Sequence, residues 1–345
     1  MIDVGTLINP ESIAEYVTAL PQTNLIGESL FPRKKQMGLD ITMIRGAANL
    51  PIVLKPSQFD TAVKIRSLRA QVTEETKEMP FFKEAVVIKE KDRQNLLMAL
   101  SASNTTWRDL ILDNIYGDTK GLIDGADMQV ERMRMQLLAT GAINITSGDK
   151  DIILDYGLLT ASKETLVDTA KWDDLTNSNP VLDIQRWQDG VELVTGVRPT
   201  RAVCSRTTFR YIQNNVKVRM DINPLGTTII TEAVLKTYIA DKLGVSIEII
   251  VGNYIAEDDT TTVAVFPEHV FTLFPVGSLG NTYYGTTPEE ADLITGNSAN
   301  VSIIRSGIAV TTVKKTDPVT IVTKVSQVCL PSFEKIAEIF IATIN

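Results

Sequence analysis

Positive charge is concentrated in one stretch of an otherwise acidic chain. Between Phe31 and Arg69 the sequence holds eight basic residues and two acidic ones, a net charge of +6. The whole chain of 345 residues carries −8, so the remainder carries −14. Around residues 63–66 apolar and basic side chains alternate, which is the period-two pattern of a half-buried strand. The chain therefore combines a cationic, strand-rich projection with an anionic body.

Three interpretations fit this asymmetry of charge. The simplest is a solvated basic face. Nucleic-acid binding is disfavoured, because the stretch offers only Phe31 and Phe59 as aromatic residues on which bases could stack. Charge complementarity favours the third, in which the projection docks onto the acidic body of an identical neighbour. The bases proposed for that contact between subunits are Arg45, Lys55, Lys64, Arg66 and Arg69.

Residues that bind metals or carry catalysis are scarce. His269 is the single histidine, which excludes a His-rich zinc site, and its strand pattern favours a satisfied structural role. Cys204 and Cys329 belong to no CxxC pair and predict two buried free thiols. No apolar run reaches the ~18 residues that span a bilayer, and the N-terminus does not resemble a signal peptide. We therefore predict no metal, no cofactor and no membrane contact, and a chain that works in or is assembled in the cytoplasm.

Two short runs of acidic residues are the candidates for a catalytic site. Asp173-Asp174 and Glu257-Asp258-Asp259 both lie beside Thr- and Asn-rich turn signals, where acids commonly decorate loops. No third ligand follows either pair at a recognisable spacing. The sequence therefore predicts that the protein is not an enzyme. An oligomeric enzyme that uses an unrecognised carboxylate site such as Asp173/Asp174 remains an alternative.

Hydrophobic patterning indicates an α+β fold and divides the chain into five stretches. The first carries one short helix with too few apolar residues for a core of its own. The second is extended, the third is largely helical and then turns to short strands, and the fourth alternates helix and strand. The fifth is β-rich and is expected to return to the first sheet. Their bounds are 1–30, 31–83, 84–178, 179–300 and 301–345.

A row of glycines interrupts the helical stretch. Gly117, Gly121 and Gly125 recur every four residues, and each costs about 0.5–1 kcal/mol relative to alanine inside a helix. One interpretation is a loop or kink between two helices. The other is a long helix that bends easily or that lets another backbone come close.

Several segments, taken in order, resemble the lambda-type major capsid proteins of tailed bacteriophages (the phage major capsid protein E family) over nearly the whole chain. The most specific match is VFPEHVFTLFPVGSLGNTYYGTTPEEADL, which contains Gly280 and residues 284–289. None of the segments is a chemical motif, so the specificity lies in their joint order. The other four are LFPRKKQMGLDITMIRGAANLPIVL, VERMRMQLLATGAINI, RAVCSRTTFRYIQNNVKVR and KVSQVCLPSF.

This resemblance implies the Hong Kong 97-like phage capsid fold. The five stretches would then be the N-terminal arm, the extended loop, a peripheral domain with a long spine helix, the axial domain, and C-terminal strands that return to the peripheral domain. The glycine row would give flexibility to the spine helix, which is bent in immature shells of this fold. The basic projection would be the extended loop lying over the neighbouring subunit.

The resemblance also implies a function and its partners. The protein would be the major capsid protein of a tailed phage, forming pentamers and hexamers of an icosahedral shell around double-stranded DNA. It would be found in the virion after assembly in the host cytoplasm. Its partners would be a separate scaffolding protein, a portal, in some shells a decoration protein, and packaged DNA in weak non-specific contact. An encapsulin-like nanocompartment shell, which encloses enzymes, is the rival function with the same fold.

Overall fold

The computed structural model describes residues 10–19, 25–45, 73–101, 105–146, 151–225, 229–256, 260–294, 301–304 and 307–345. The chain forms two compact units, each assembled from segments that lie far apart in the sequence. Unit 1 consists of Met1–Ile41, Thr76–Glu131 and Asn281–Ser332. Unit 2 consists of Thr42–Glu75, Arg132–Gly280 and Phe333–Asn345.

Helices and strands alternate along the described chain, which confirms the α+β class. The helices are α1 (Pro10–Ala19), α2 (Ile26–Leu30), α3 (Glu90–Ser101), α4 (Thr105–Thr140), α5 (Pro180–Thr195), α6 (Arg206–Asn214), α7 (Val216–Ile222), α8 (Glu232–Leu243) and α9 (Pro288–Ile294). Short 3-10 turns cover Thr160–Ser162, Asp168–Ala170 and Ile336–Glu338. The strands are β1 (Arg33–Lys35), β2 (Asp40–Arg45), β3 (Thr73–Glu78), β4 (Phe81–Ile88), β5 (Ala142–Thr146), β6 (Asp151–Asp155), β7 (Lys163–Thr165), β8 (Arg201–Ser205), β9 (Ser246–Ile250), β10 (Asn253–Ile255), β11 (Thr262–Ala264), β12 (Val270–Phe274), β13 (Thr282–Tyr284), β14 (Val301–Ile304), β15 (Ile308–Thr316), β16 (Val319–Pro331) and β17 (Phe340–Thr343).

Unit 1 is built on a sheet whose strands run in the order β1-β13-β16-β15-β14, with β4 also paired to β16. One face of this sheet forms the core of the unit with α1 and α4. Ile13 and Val17 of α1 and Ile123 of α4 are almost fully buried against it. The short N-terminal helix therefore buries its few apolar residues on a sheet made by distant parts of the chain.

Unit 2 contains a second sheet, ordered β7-β17-β12-β8-β9. Its core is aromatic: the rings of Trp172 and Trp187 stack with centroids 5.7 Å apart, and Trp187 stacks on Phe340 at 5.4 Å. Local signals in the sequence set the helix ends here. The Asn179 side chain accepts a hydrogen bond from the Leu182 N–H at 3.4 Å and caps α5 as expected. Residues 151–155 and 142–146 form a separate two-stranded hairpin of β5 and β6.

The glycine row lies within one continuous helix. Helix α4 runs for 36 residues and ends at Gly141, whose φ of +74° is left-handed and whose N–H donates to the Leu137 carbonyl at 2.9 Å. The loop-or-kink interpretation is therefore wrong. Gly117, Gly121 and Gly125 are exposed, and a Cβ added at any of them would meet no atom within 4 Å. Among the described residues, no backbone approaches the row closely enough to explain it.

The structure differs from the pattern-based prediction in the middle of the chain. The sequence pattern places residues 84–88 in the helical stretch, but they complete strand β4, which pairs with β16 from Ile321↔Ile88 to Val328↔Phe81. Tertiary pairing outweighs local signals at this position. Residues 301–332 of the β-rich tail belong to unit 1, whereas its last residues, 333–345, belong to unit 2. The five-part domain division itself stays a prediction.

Candidate functional site

The predicted contact bases lie mostly outside the described residues. Lys55, Lys64, Arg66 and Arg69 are all outside, and Arg45 ends strand β2, which pairs with β3. The structure does describe the start of the same cationic stretch, Arg33–Lys35. These residues form β1 within unit 1, at the base of the predicted extended loop.

Strand β1 is held by the segment that carried the most specific match to the capsid family. It pairs in parallel with β13, with Arg33 opposite Thr282 and Lys35 opposite Tyr284. The Gln36 N–H donates to the Tyr284 carbonyl at 2.9 Å. On the other side, the Thr282 hydroxyl donates to the Phe31 carbonyl at 2.9 Å. The chain is therefore fixed at both ends of β1.

Acidic residues of helix α4 anchor the residues that lead into β1. The Arg33 guanidinium contacts Glu28 Oε1 and Asp127 Oδ1, each at 3.0 Å, and lies over the Tyr284 ring. The buried Gly27 N–H donates to Glu131 Oε1 at 2.8 Å. Burial opposes the charge on Arg33, but Tyr284, Asp127 and Glu28 outweigh it and raise the pKa of Arg33 above its ordinary value.

A second pair of acids, at the start of α9, binds β1 and β16. The Lys35 Nζ lies 2.5 Å from Glu290 Oε2 and 2.9 Å from the Gly285 carbonyl. Glu289 accepts hydrogen bonds from Lys324 and, at 2.8 Å, from the Ser326 hydroxyl. Burial favours the neutral form of Glu289, yet these donors lower its pKa below the ordinary value. The charges of the junction are thus satisfied within one chain.

Two positions of the junction have room only for glycine. A Cβ on Gly285 would lie 2.8 Å from the Gly38 carbonyl oxygen and 2.8 Å from Met79 Cε. A Cβ on Gly307 would lie 2.3 Å from Cδ1 of the fully buried Tyr284 ring, and the φ of Gly307 is +154°. The segment Tyr284–Glu289 therefore joins β1, β13, β16 and α9 into one packed junction, which is defined here as the loop-base junction.

This geometry corrects the extent of the cationic projection. Arg33 and Lys35 form ion pairs with acids of unit 1, which includes residues up to Ile41. The basic residues that could give a projection its charge therefore lie after Ile41. Residues 42–69 hold five basic residues and one acidic residue, a net charge of +4. These five bases are the ones predicted to touch a neighbour. Nothing in the sequence indicates that Arg33 and Lys35 form ion pairs within unit 1, because their partners lie up to 255 residues away.

Of the predicted catalytic candidates, Asp174 has a structural explanation. Asp174 Oδ1 accepts hydrogen bonds from the N–H groups of Thr176 and Asn177, at 3.2 and 3.0 Å, so it closes a turn. The Asn177 side chain and these N–H groups lower the pKa of Asp174. Residues 257–259 lie outside the described residues. Across the part of the chain that the structure describes, no three His, Cys, Asp or Glu side chains are grouped to hold a metal ion.

The histidine and the cysteines are packing residues. His269 directly precedes β12 with a φ of +62°, its ring stacks on Tyr211 at 5.9 Å, and its buried Nδ1 makes no hydrogen bond. A structural role stays a prediction, and the expectation of a satisfied histidine fails at Nδ1. Cys204 and Cys329 are buried thiols outside any disulfide, as predicted, and burial raises the pKa of Cys204 to about 12. No described helix combines the length and apolar character needed to cross a bilayer.

Comparison with known proteins identifies a family and a fold. The family model described as phage major capsid protein E matches residues 9–344. None of the curated proteins matches the sequence. Among solved structures, a prophage capsid protein of E. coli CFT073 has a TM-score of 0.64 at 14% identity, covering 98% of this chain and 99% of that one.

Two further solved structures have the same fold over most of their length. A phage-related protein from Bordetella bronchiseptica RB50 has a TM-score of 0.56 at 12% identity, covering 97% of both chains. The capsid of cyanophage P-SCSP1u has a TM-score of 0.50 at 10% identity, covering 94% of this chain and 89% of that one. At these identities the likeness is one of fold.

Proposed function

Since the chain belongs to the phage major capsid protein E family, we propose that it builds the icosahedral shell that encloses the double-stranded DNA genome of a tailed phage. It is a major capsid protein with the Hong Kong 97-like fold, it assembles with copies of itself, and its place is the virion. The proposal adds pentamers and hexamers as the building units and assembly in the host cytoplasm. It adds a separate scaffolding protein, a portal and a decoration protein as partners.

One observation carries this function: the family model extends from residue 9 to residue 344, from the arm to the last strand. The two rival functions lack comparable support. A catalytic carboxylate pair at Asp173/Asp174 is disfavoured because Asp174 is engaged in closing a turn. A nanocompartment shell would share the fold, but the matched family is that of phage capsids. We propose accordingly that the chain has no enzymatic activity.

The extended loop is proposed to join neighbouring subunits. Its five bases, Arg45, Lys55, Lys64, Arg66 and Arg69, give residues 42–69 a charge of +4 beside bodies that are strongly anionic. Charge complementarity of this kind fixes register and speeds encounter. Each contact is weak alone, but several contacts per subunit combine into a stable shell that can still correct errors during assembly.

Contact with the packaged genome is proposed to be weak and non-specific. Affinity for DNA grows with the number of phosphates that basic side chains neutralise. A chain with a net charge of −8, whose bases are partly engaged by its own acids, forms few such contacts. The DNA therefore stays mobile enough to enter and to leave.

Nuclease protection distinguishes the proposed shell from its rivals. Particles made with the products of the neighbouring genes are treated with nuclease, opened, and analysed for nucleic acid and protein. Protected genome-length DNA is the expected result. Particles that hold an enzyme and no DNA would identify a nanocompartment, and a small oligomer with hydrolytic activity lost on Asp174→Asn would identify an enzyme.

The glycines of α4 are proposed to keep the spine helix bendable during shell expansion. Replacing Gly117, Gly121 and Gly125 together with alanine adds no clash and should stabilise the helix by about 1.5–3 kcal/mol in total. We expect a higher Tm in calorimetry and slower expansion of the immature shell, followed by light scattering.

Gly190 supplies the matched control for this variant. It is also exposed inside a helix, α5, and its added Cβ would meet no atom within 4 Å. Gly190→Ala should raise the Tm by about a third as much and leave expansion unchanged. Expansion of the triple variant at the wild-type rate would remove the proposed role of the glycine row.

A further inference from the structure

The two faces of the unit 1 sheet are covered by different helices. Residues paired across neighbouring strands point to the same face, and the face that bears Ile308, Val310 and Val325 is buried against α1 and α4. The opposite face is covered in part by α9, whose Glu289 binds Lys324 and Ser326. Ala309 and Ser326 are buried there.

The next row of this second face is apolar and open. Val87, Val322 and Val313 stand directly opposite one another on β4, β16 and β15. Val87 is 45% exposed and Val313 is 50% exposed. We call Val87, Val322 and Val313 the valine row, and this row together with Lys83 and Lys315 the valine face.

Lysines lie on both sides of the valine row along the strands. Lys315 is two residues beyond Val313 on β15, and Lys83 is four residues before Val87 on β4. No acidic side chain of β4, β15 or β16 points to this face, since Glu84 pairs with the core residue Val325. The valine face therefore fits an apolar surface that carries negative charge.

Such a surface exists in unit 2, on the hairpin of β5 and β6. Ile143 and Ile145 bury one face of the hairpin. The other face of β6 presents Asp151, Ile153 and Asp155 in alternation, and Ile153 is 70% exposed. Its neighbours on β5 are Ala142, Asn144 and Thr146, so this face carries no base.

The hairpin is held firmly by the end of the spine helix. The Gln136 side chain donates to the Asn144 carbonyl at 2.8 Å and accepts from the Asn144 N–H at 3.1 Å, as a neighbouring strand would. A surface held in place in this way loses little conformational freedom on binding. We call Asp151, Ile153 and Asp155 the acidic hairpin face.

We propose that the acidic hairpin face of one subunit docks on the valine face of a neighbouring subunit. Ile153 would cover the valine row. Asp151 and Asp155 are about 13 Å apart along the strand, and Lys83 and Lys315 are about 20 Å apart, so the long lysine side chains would lean toward the acids from either side. Each apolar patch is open to water in the single chain, and the two patches carry opposite charge. DNA is a poorer occupant, because an exposed valine row contributes nothing to phosphate binding.

The contact joins two different surfaces, so it is heterologous. Such a contact propagates from copy to copy and closes into rings when the rotation allows. The inference rests on the self-assembly proposed above and adds a second subunit contact to that of the extended loop.

Cysteine cross-linking tests the contact directly. The double variant Ile153→Cys/Val313→Cys is assembled into particles and oxidised, or treated with a short bis-maleimide. Both native cysteines are buried, so background reaction is low. We expect a ladder of covalently linked chains from the double variant and only single chains from each single variant.

Placing the two cysteines on separate copies sharpens the test. Particles in which Ile153→Cys chains are mixed with Val313→Cys chains should give covalent dimers and nothing larger, because each copy carries half of the contact. Val87→Cys and Val322→Cys replace Val313→Cys in parallel experiments, so that one unsuitable geometry does not decide the result.

The outcomes separate this inference from the proposed function. Normal particles with no cross-linked chains at any of the three valine positions would overturn the inference and leave the capsid function standing. Dimers from Ile153→Cys alone would also overturn it, because they would show a contact between two hairpins. Cross-linking that is lost when packaged DNA is removed from intact particles would also overturn it, because it would show that DNA brings the two side chains together. Failure of the wild-type chain to form particles would count against the function itself.

Discussion

Shells are expected to be lost when Lys64 and Arg66 are both changed to glutamate. The substitutions reduce the net charge of residues 42–69 from +4 to zero and place two acids where the loop is proposed to meet an acidic neighbour. Like charges brought together at an interface cost several kcal/mol. A loss of about 3 kcal/mol per subunit corresponds to more than a 100-fold higher protein concentration for assembly. Electron microscopy and sedimentation velocity measure the change.

The charge-conserving variant Lys64→Arg/Arg66→Lys is the matched control. It should form shells at nearly the wild-type concentration, because charge and length of the side chains are almost preserved. Circular dichroism should show that the reversed variant is still folded. Normal shells from Lys64→Glu/Arg66→Glu would refute the assignment of the loop as the charged contact.

The largest loss of folding stability is expected from Gly307→Ala. Its Cβ would lie 2.3 Å from Cδ1 and 2.9 Å from Cβ of Tyr284, whose side chain is fully buried. Overpacking of this kind costs about 1–3 kcal/mol, and the backbone at a φ of +154° adds about 1–3 kcal/mol for a residue with a side chain. The sum is a large share of the 5–15 kcal/mol that stabilises a typical domain. Urea unfolding should show a much lower midpoint, and shells should not form.

The variant Gly38→Ala distinguishes steric overlap from backbone strain as the cause of that loss. It also lies in unit 1 and has a positive φ of +97°, but a Cβ there would meet no atom within 4 Å. Gly38→Ala should therefore lower the folding stability only by the cost of backbone strain. If both variants unfold at the same urea concentration, the loop-base junction does not depend on the close packing of Tyr284 on Gly307.

Local signals in the sequence predicted those elements whose ends are set by neighbouring residues. Asn179, Ser205 and Thr231 cap helices through their own side chains, as expected. Gly196 and Gly244 end helices in the left-handed conformation. Strand β4 was missed in part because its partner β16 lies more than 200 residues away, and pairing decides its structure.

The candidate site shows the same division between local and distant causes. The concentration of bases after Phe31 was visible in the sequence, but which of these bases form ion pairs within the chain was not. Arg33 pairs with Asp127 across 94 residues and Lys35 pairs with Glu290 across 255 residues. Charge patterning alone could not separate the bases that hold the junction together from those that are proposed to contact a neighbouring subunit. The resemblance identified the Tyr284–Glu289 segment, and the structure supplies its physical role as a packed junction.

Negative-stain electron microscopy of the purified wild-type chain, alone and with the products of the neighbouring genes, tests the central claim most directly. That claim is that identical copies tile a closed container through contacts between cationic and anionic surfaces. The account predicts closed shells of uniform diameter, at least when the neighbouring products are present. A compact monomer in every solution condition, with or without those products, would contradict it.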